Sequence, residues 1–301
     1  MFSQGLRHAI RLNIVSEYFT HKKHFKKNFA IEEKLDFSNF LSLVLIIKNE
    51  ASYIEEWINY HRIVGVNKFY IYDNESTDNL KKILQPYIKS NLVDYTYWTG
   101  QKQQKIVYND ALKKHRLDTK WLGFIDSDEF LVPVSKKTLP DVIKEINPKY
   151  GLQVHWVFYG SNGHIKRSSG LVIERFTKRA ANDYYPNHIC KSIVNPRIIY
   201  YQTEHSGYFI GNNFSIDEQG KKCGMGGNIT FEKIRCNHYY TKSKEEYLNK
   251  INRGDAIYGT SLTSMNIFDS IDKDRNEITD NIMKKYVPLV KKAIASHHKK
   301  K

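Results

Sequence analysis

The sequence predicts an α/β protein built on an open, mostly parallel sheet flanked by helices. Three observations carry that expectation. Strand-like and helix-like segments alternate four times between Phe40 and Pro133, the pattern of successive strand–helix–strand crossovers. The first strand segment, Leu41–Ile47, is almost wholly apolar and β-branched, as a strand covered on both faces must be. Three strand segments also end in polar groups, Lys48–Glu50, Asp73–Ser76 and Asp126–Glu129. Open α/β sheets bind ligands at that edge.

Taken in order, "FLSLVLIIKNE" opens the ordered domain. "EASYIEEWINYHRIVG" follows, with Ile54, Trp57, Ile58, His61 and Val64 on one helical face and Gly65 as a stop. "VNKFYIYDNES" is the second strand. "STDNLKKILQPYI" starts a helix with Ser76 or Thr77 placed to cap it and Asp78 in its first turn. "LVDYTYW" is the third strand, "QKQQKIVYNDALKKHR" the third helix and "KWLGFIDSDEFLVP" the fourth strand. The second half is more mixed. "GLQVHWVFYGSNGH" and "KSIVNPRIIYYQTEH" read as strands, and "KSKEEYLNKINRGDA" as a helix on which Ser243 and Glu246 complete a capping box. No internal repeat is visible. The expected organisation is a basic helical arm over 1–38, one domain over 39–260 in two parts (39–134 and 135–260), and a helical basic tail over 261–301.

The 301 residues suffice for a substantial core. The net charge of +15 is concentrated at the ends. Residues 1–34 hold seven Lys or Arg against three acids, and residues 284–301 hold seven Lys and no acid. The middle is nearly balanced, which argues against a nucleic-acid groove and makes nucleic acid an unlikely partner. Basic ends suit a solvated tail, a partner, or peripheral contact with an anionic membrane. Phe2, Leu6, Ala9, Ile10, Asn13 and Ile14 fall at helical spacing with Arg7 and Arg11 between them, as in an interfacial helix or one packed on the domain. No run of about 18 apolar residues predicts a membrane span, and the compact apolar core of a secretory signal is missing. Cys190, Cys223 and Cys236 are scattered and odd in number. A reducing cytoplasm is therefore expected, and the basic ends suit peripheral contact with the inner face of the plasma membrane. The 21 tyrosines and 15 phenylalanines mostly fill core and half-buried surface.

"IDSDEFLVP" (Ile125–Pro133) carries the chemistry. Its three carboxylates, Asp126, Asp128 and Glu129, lie beside a buried strand, where uncompensated charge is costly. An Asp-x-Asp at such a strand end suits Mg²⁺ or Mn²⁺ with phosphate as a further ligand. That ion neutralises a diphosphate and stabilises its departure. On this reading the positive partner arrives with a nucleotide and is not part of the chain. Glu129 then supports the pair or pairs with a basic residue, because alternate strand positions face opposite sides.

The segments "KNEASYIEEWINYHRIVGVNKFYIYDNESTD", "WLGFIDSDEFLVP", "HWVFYGSNGH", "KSIVNP", His205 and "NHYYTKSKEEYLNKINRG" together resemble glycosyltransferase family 92 and bacterial relatives placed beside family 2, over about residues 41–255. The resemblance implies a GT-A fold, Rossmann-like, with a nucleotide-sugar half over 39–134 and an acceptor half over 135–260. It implies a nucleotide-sugar donor, usually UDP-linked, a Mn²⁺ or Mg²⁺ cofactor, and transfer with inversion to a saccharide or lipid-linked saccharide of a surface, capsular or lipopolysaccharide. Asp126 and Asp128 then meet metal and diphosphate. Lys48, Asn49, Glu50, Asp73 and Asn74 line the nucleoside pocket, and Gln104 contacts donor or sugar. His238 and His205 are candidate metal ligands, while Lys242 and Arg253 are candidates to neutralise the diphosphate. The general base is open among Glu174, Asp183, Glu204 and Asp217. Trp156, Phe158 and Tyr159 are acceptor-side candidates, with core packing as their rival. Two other classes compete: a basic nucleic-acid-binding protein and a GT-A scaffold without catalysis.

Overall fold

The computed structural model describes residues 3–20, 22, 37–224, 227–254 and 267–298. Phe2 of the amino-terminal pattern and the final three lysines lie outside them. The first half comprises α1 (Gln4–Arg11), β1 (Asn39–Ile47), α2 (Ala51–Ile63), β2 (Lys68–Asn74), α3 (Leu80–Lys89), β3 (Val93–Trp98), α4 (Gln104–Lys114) and β4 (Thr119–Phe124). Next come β5 (Glu129–Pro133), α5 (Leu139–Ile146), β6 (Gly151–Phe158), α6 (Val172–Arg175), β7 (Lys178–Arg179) and β8 (Cys190–Val194). The chain continues through β9 (Ile199–Gln202), β10 (Gly207–Phe209), β11 (Ile234–His238), α7 (Lys244–Arg253), α8 (Phe268–Lys273), β12 (Ile278–Thr279) and α9 (Val287–His298).

One eight-stranded sheet, in the order β3-β2-β1-β4-β8-β6-β11-β5, runs through both halves of the chain. β3, β2, β1 and β4 are parallel neighbours, as the alternating pattern requires. β8 runs antiparallel between β4 and β6. β11 is parallel to β6 and antiparallel to β5 at the edge. This is the α/β, mostly parallel sheet expected of a GT-A domain. The apolar run of β1 is explained by its two buried faces. Leu41, Leu43, Leu45 and Ile47 join a core with Trp57 and Ile58 of α2. Val44 and Ile46 pack with Val107, Tyr108 and Ala111 of α4.

Two local expectations are corrected. "KWLGFIDSDEFLVP" is not one strand: β4 ends at Phe124, and β5 starts at Glu129 on the far edge of the sheet. The acidic stretch is therefore the junction between a central and an edge strand. Helix α3 starts after Asn79, not after Ser76 or Thr77. Those residues tie two strand ends together: Asn49 N–H donates to Ser76 Oγ at 2.9 Å, and Thr77 N–H donates to Asn49 Oδ1 at 2.7 Å. Helix α1 docks on β10. Gly5 N–H donates to Gly211 O at 2.7 Å, and a Cβ at Gly5 would sit 2.4 Å from Phe209 O, so only glycine allows this approach. Ala9 is buried there and Ile10 exposed. Among the described residues no helix is long and apolar enough to cross a membrane.

The capping box on α7 forms, and Glu246 does more than cap. Its buried carboxylate accepts two guanidinium bonds from Arg175 (2.8 and 2.9 Å), with Tyr53 OH donating at 2.7 Å and Ser243 Oγ at 2.6 Å. Burial alone would raise its pKa, but these donors lower it to about 2. A depressed carboxylate contributes stability above its unfolded value near 4.3, and that contribution is lost as the pH falls toward 2. Glu246→Gln should cost roughly 3 kcal/mol at neutral pH by leaving Arg175 uncompensated. Its stability should also fall less steeply than wild type between pH 5 and 2. Urea unfolding across that range checks this; parallel curves would remove the assignment.

Candidate active site

Asp126 to Glu129 form a turn closed by Glu129 N–H donating to Asp126 O at 3.1 Å. Trp57 of α2 clamps it from below, its indole N–H reaching the carbonyls of Asp126 (3.2 Å) and Glu129 (2.9 Å). Backbone and indole bonds therefore hold the turn without drawing on the carboxylates of Asp126 and Asp128.

The expectation that the positive partner lies outside the chain is corrected. β8 runs against β4, so its first residues lie beside the stretch that follows Phe124. The fully buried Lys191 there donates from Nζ to Asp126 Oδ2 at 2.6 Å and lies 3.5 Å from Glu129 Oε1. Gln104 Nε2 (2.8 Å) and Tyr108 OH (3.3 Å) reach the other oxygen of Asp126 from α4. From α7, Lys250 Nζ donates to Asp128 Oδ2 at 2.6 Å and lies 3.9 Å over the Tyr240 ring. Burial opposes ionisation of both aspartates. The Lys191 ammonium nevertheless holds Asp126 below its usual range, and Lys250 with His238 holds Asp128 well below it. Glu129 is fully buried, accepts from Asp126 N–H at 2.9 Å, and is pushed up to about 8 by desolvation.

His238, the last residue of β11, pairs in register with Glu129 and with Phe158. That places its Nε2 3.5 Å from Asp128 Oδ1. Burial lowers its pKa to about 4, so the ring is neutral at neutral pH, as a metal ligand must be. Asp128 and His238 thus offer an oxygen and a neutral imidazole nitrogen, the donor types that could hold a divalent cation between them. Asp126 is committed to Lys191, Gln104 and Tyr108, and no group of three metal-ligating side chains assembles among the described residues. His205 stands apart from that pair. Its Nδ1 lies 3.2 Å from Cys190 O, its ring packs edge-on against Trp156, and burial lowers its pKa to about 4.

The other expected residues divide into two groups. Glu50 pairs with Arg253 Nη1 and lies 4.0 Å from Lys242 Nζ, which itself sits 4.4 Å over the Tyr53 ring. Trp156 and Phe158 form a wall against His238, with ring centroids 4.4 and 4.8 Å away. Asp73 and Asn74 are spent on structure: Tyr95 OH and Ser76 N–H donate to Asp73, and Asn74 donates to the carbonyls of Trp98 and Gly100. Lys48 is half exposed, 4.0 Å from Glu75. Tyr159 points away from the wall, its OH accepting from Arg235 and Asn237. Asp217 closes a turn beside Ile216, which bridges Leu152 at the opposite end of β6. Glu174 pairs with Lys291 of α9 on the outer surface. Glu204 pairs with Lys105 at 3.1 Å. Asp183 is exposed, next to Tyr184, whose ring lies edge-on to Phe158. Lys191, Tyr108 and Lys250 were not anticipated. The one local signal was a lysine inside an otherwise strand-like "CKSIV".

The family model described as glycosyltransferase family 92 matches residues 45–206, just over half of the chain. The chain belongs to glycosyltransferase family 92. The match encloses the Asp126–Glu129 turn and Lys191 but stops before His238 and α7. A family 92 protein of Oryza sativa subsp. japonica is 28% identical over 71% of this chain and 35% of its own length. The beta-1,4-galactosyltransferase galt-1 of Caenorhabditis elegans is 28% identical over 69% of this chain and 49% of its own length. The galactan beta-1,4-galactosyltransferase GALS2 of Arabidopsis thaliana is 22% identical over 64% and 40%. This chain therefore spans a third to a half of the length of these relatives. Among solved structures, S. aureus TarS 1-349 in complex with UDP is 20% identical over 52% of this chain and 47% of that one, with a TM-score of 0.37.

Proposed function

We propose that this family 92 chain transfers a sugar, galactose in first place, from a UDP-linked donor to a saccharide acceptor with inversion. The reading rests on one observation: in a family 92 chain, Asp126, Asp128, His238, Lys191 and Lys250 meet at the carboxyl end of the sheet. Galactose is favoured because two relatives are named galactosyltransferases. Asp128 and His238 would hold Mn²⁺ or Mg²⁺, which neutralises the diphosphate when bound. Lys191 fixes the orientation of Asp126. Lys250, Lys242 and Arg253 place positive charge where the leaving diphosphate gathers its negative charge. Asp183, exposed and next in the chain to Tyr184, whose ring packs on Phe158, is the preferred group to accept the acceptor hydroxyl proton. A surface or capsular polysaccharide, built at the inner membrane face with the basic ends on anionic lipid, fits the charge distribution.

The experiment is a UDP titration by calorimetry with and without Mn²⁺, followed by UDP-sugar hydrolysis with each donor. Metal-dependent UDP binding and preferential hydrolysis of UDP-galactose are expected. No UDP binding, or binding indifferent to Mn²⁺, would overturn the reading.

A further inference from the structure

Among the described residues, the cations around the site are paired with carboxylates, and Arg275 stands out from them. Lys191 has Asp126, Lys250 has Asp128, Arg253 has Glu50, Arg175 has Glu246, and Arg179 and Arg235 share Asp280. Arg275, just past α8, is 6% exposed and has no acidic partner among the described residues. Its guanidinium carbon lies 4.2 Å from the Phe158 ring centre, 5.2 Å from Tyr240 and 5.8 Å from Tyr184. Nε donates to Tyr184 OH at 3.3 Å, and Nη1 is buried with no partner. The nearby Asp272 is already occupied by Ser161, Thr241 and Asn276.

Aromatic faces attract a guanidinium, but that attraction recovers only part of the hydration lost on burial. A planar, unpaired guanidinium favours a two-point contact with an oxyanion. The location narrows which oxyanion. Phe158, under Arg275, is the ring that packs on His238. Arg275 thus meets the aromatic wall at Phe158 and Tyr240 without pairing with Asp128 or Glu50, the carboxylates that hold the cations proposed for the donor diphosphate.

We propose that Arg275, with Phe158, Tyr184 and Tyr240, forms an acceptor subsite for a sugar bearing an oxyanion, a carboxylate or a phosphate. This rests on the glycosyl-transfer reading, so the test reports on both separately. The probes are methyl β-glucuronide, glucose 1-phosphate and the neutral methyl β-glucoside. Each is titrated into wild type and Arg275→Met in the presence of UDP and Mn²⁺. Wild type is expected to bind at least one charged probe about tenfold more tightly than the neutral one, and the probe preferred identifies carboxylate or phosphate. Arg275→Met should erase that preference, Arg275→Lys should retain part of it, and UDP binding should stay unchanged in both. Because no carboxylate is left unpaired, Arg275→Met should melt no lower than wild type. Equal binding of charged and neutral probes by wild type would overturn the subsite, as would a preference that survives Arg275→Met. A marked fall in melting temperature would assign Arg275 to the fold instead. Failure of UDP to bind wild type would strike the transferase reading, not this one.

Discussion

Lys191→Met is expected to lower stability by roughly 3–5 kcal/mol, the usual cost of removing one partner of a buried ion pair. Lys191 is 1% exposed and faces two carboxylates, Asp126 at 2.6 Å and the fully buried Glu129 at 3.5 Å. Its loss leaves Glu129 with a single hydrogen bond, from Asp126 N–H, and leaves Asp126 without its only charge partner on Oδ2. Asp126 is a third exposed and can turn to water; Glu129 cannot. The double variant Lys191→Met, Glu129→Gln should therefore recover much of the stability, because the amide oxygen still accepts from Asp126 N–H. It should not recover donor turnover, since Asp126 would have lost the contact that orients it. Urea unfolding and UDP-sugar hydrolysis on the same samples separate the two effects. A single variant within about 0.5 kcal/mol of wild type would show that the pair adds nothing to the fold.

That Lys191 went unread while Asp126 and Asp128 did not shows where sequence patterns stop. The aspartates announce themselves locally, as acids between an apolar strand and a second apolar run. The buried faces of β1 are equally local, since alternate residues must face opposite sides. Lys191 meets Asp126 across 65 residues, and only because β8 is inserted antiparallel between β4 and β6. Strand order is a long-range property that periodicity does not encode. The same reason hid the break at Phe124: the apolar runs on either side of the acids in "WLGFIDSDEFLVP" read as one strand, but β5 pairs with β11 at the far edge. Lys250 was masked differently. Helix α7 is polar on most of its surface, so nothing distinguishes a lysine that reaches an active site from one that reaches water. Asp73 and Asn74 illustrate the converse. Polar residues at a strand end invite a ligand, yet their side chains are consumed by Tyr95, Ser76 and the carbonyls of Trp98 and Gly100.

Asp128→Asn is expected to reduce sugar transfer by about a thousandfold or more while leaving the fold standing, because it removes the carboxylate proposed to gather charge at the diphosphate. The change is isosteric, and the bond from Tyr239 N–H to Asp128 O at 2.9 Å uses the backbone. Lys250, which loses its partner, is 26% exposed and retains the Tyr240 ring at 3.9 Å. Its stranding should therefore cost far less than the loss of Lys191. The competition at Asp128 supplies a second readout. Lys250 Nζ occupies Oδ2 at 2.6 Å, a position close to the one a divalent ion would use, so ammonium and metal oppose each other for the same carboxylate. Lys250→Met should then tighten Mn²⁺ binding in the absence of UDP, yet slow transfer, because the cation that would follow the diphosphate is gone. Asp128→Asn should abolish Mn²⁺ binding with or without that change. Mn²⁺ affinity measured by calorimetry on the three variants distinguishes the cases, and an affinity that ignores Asp128 would place the metal elsewhere.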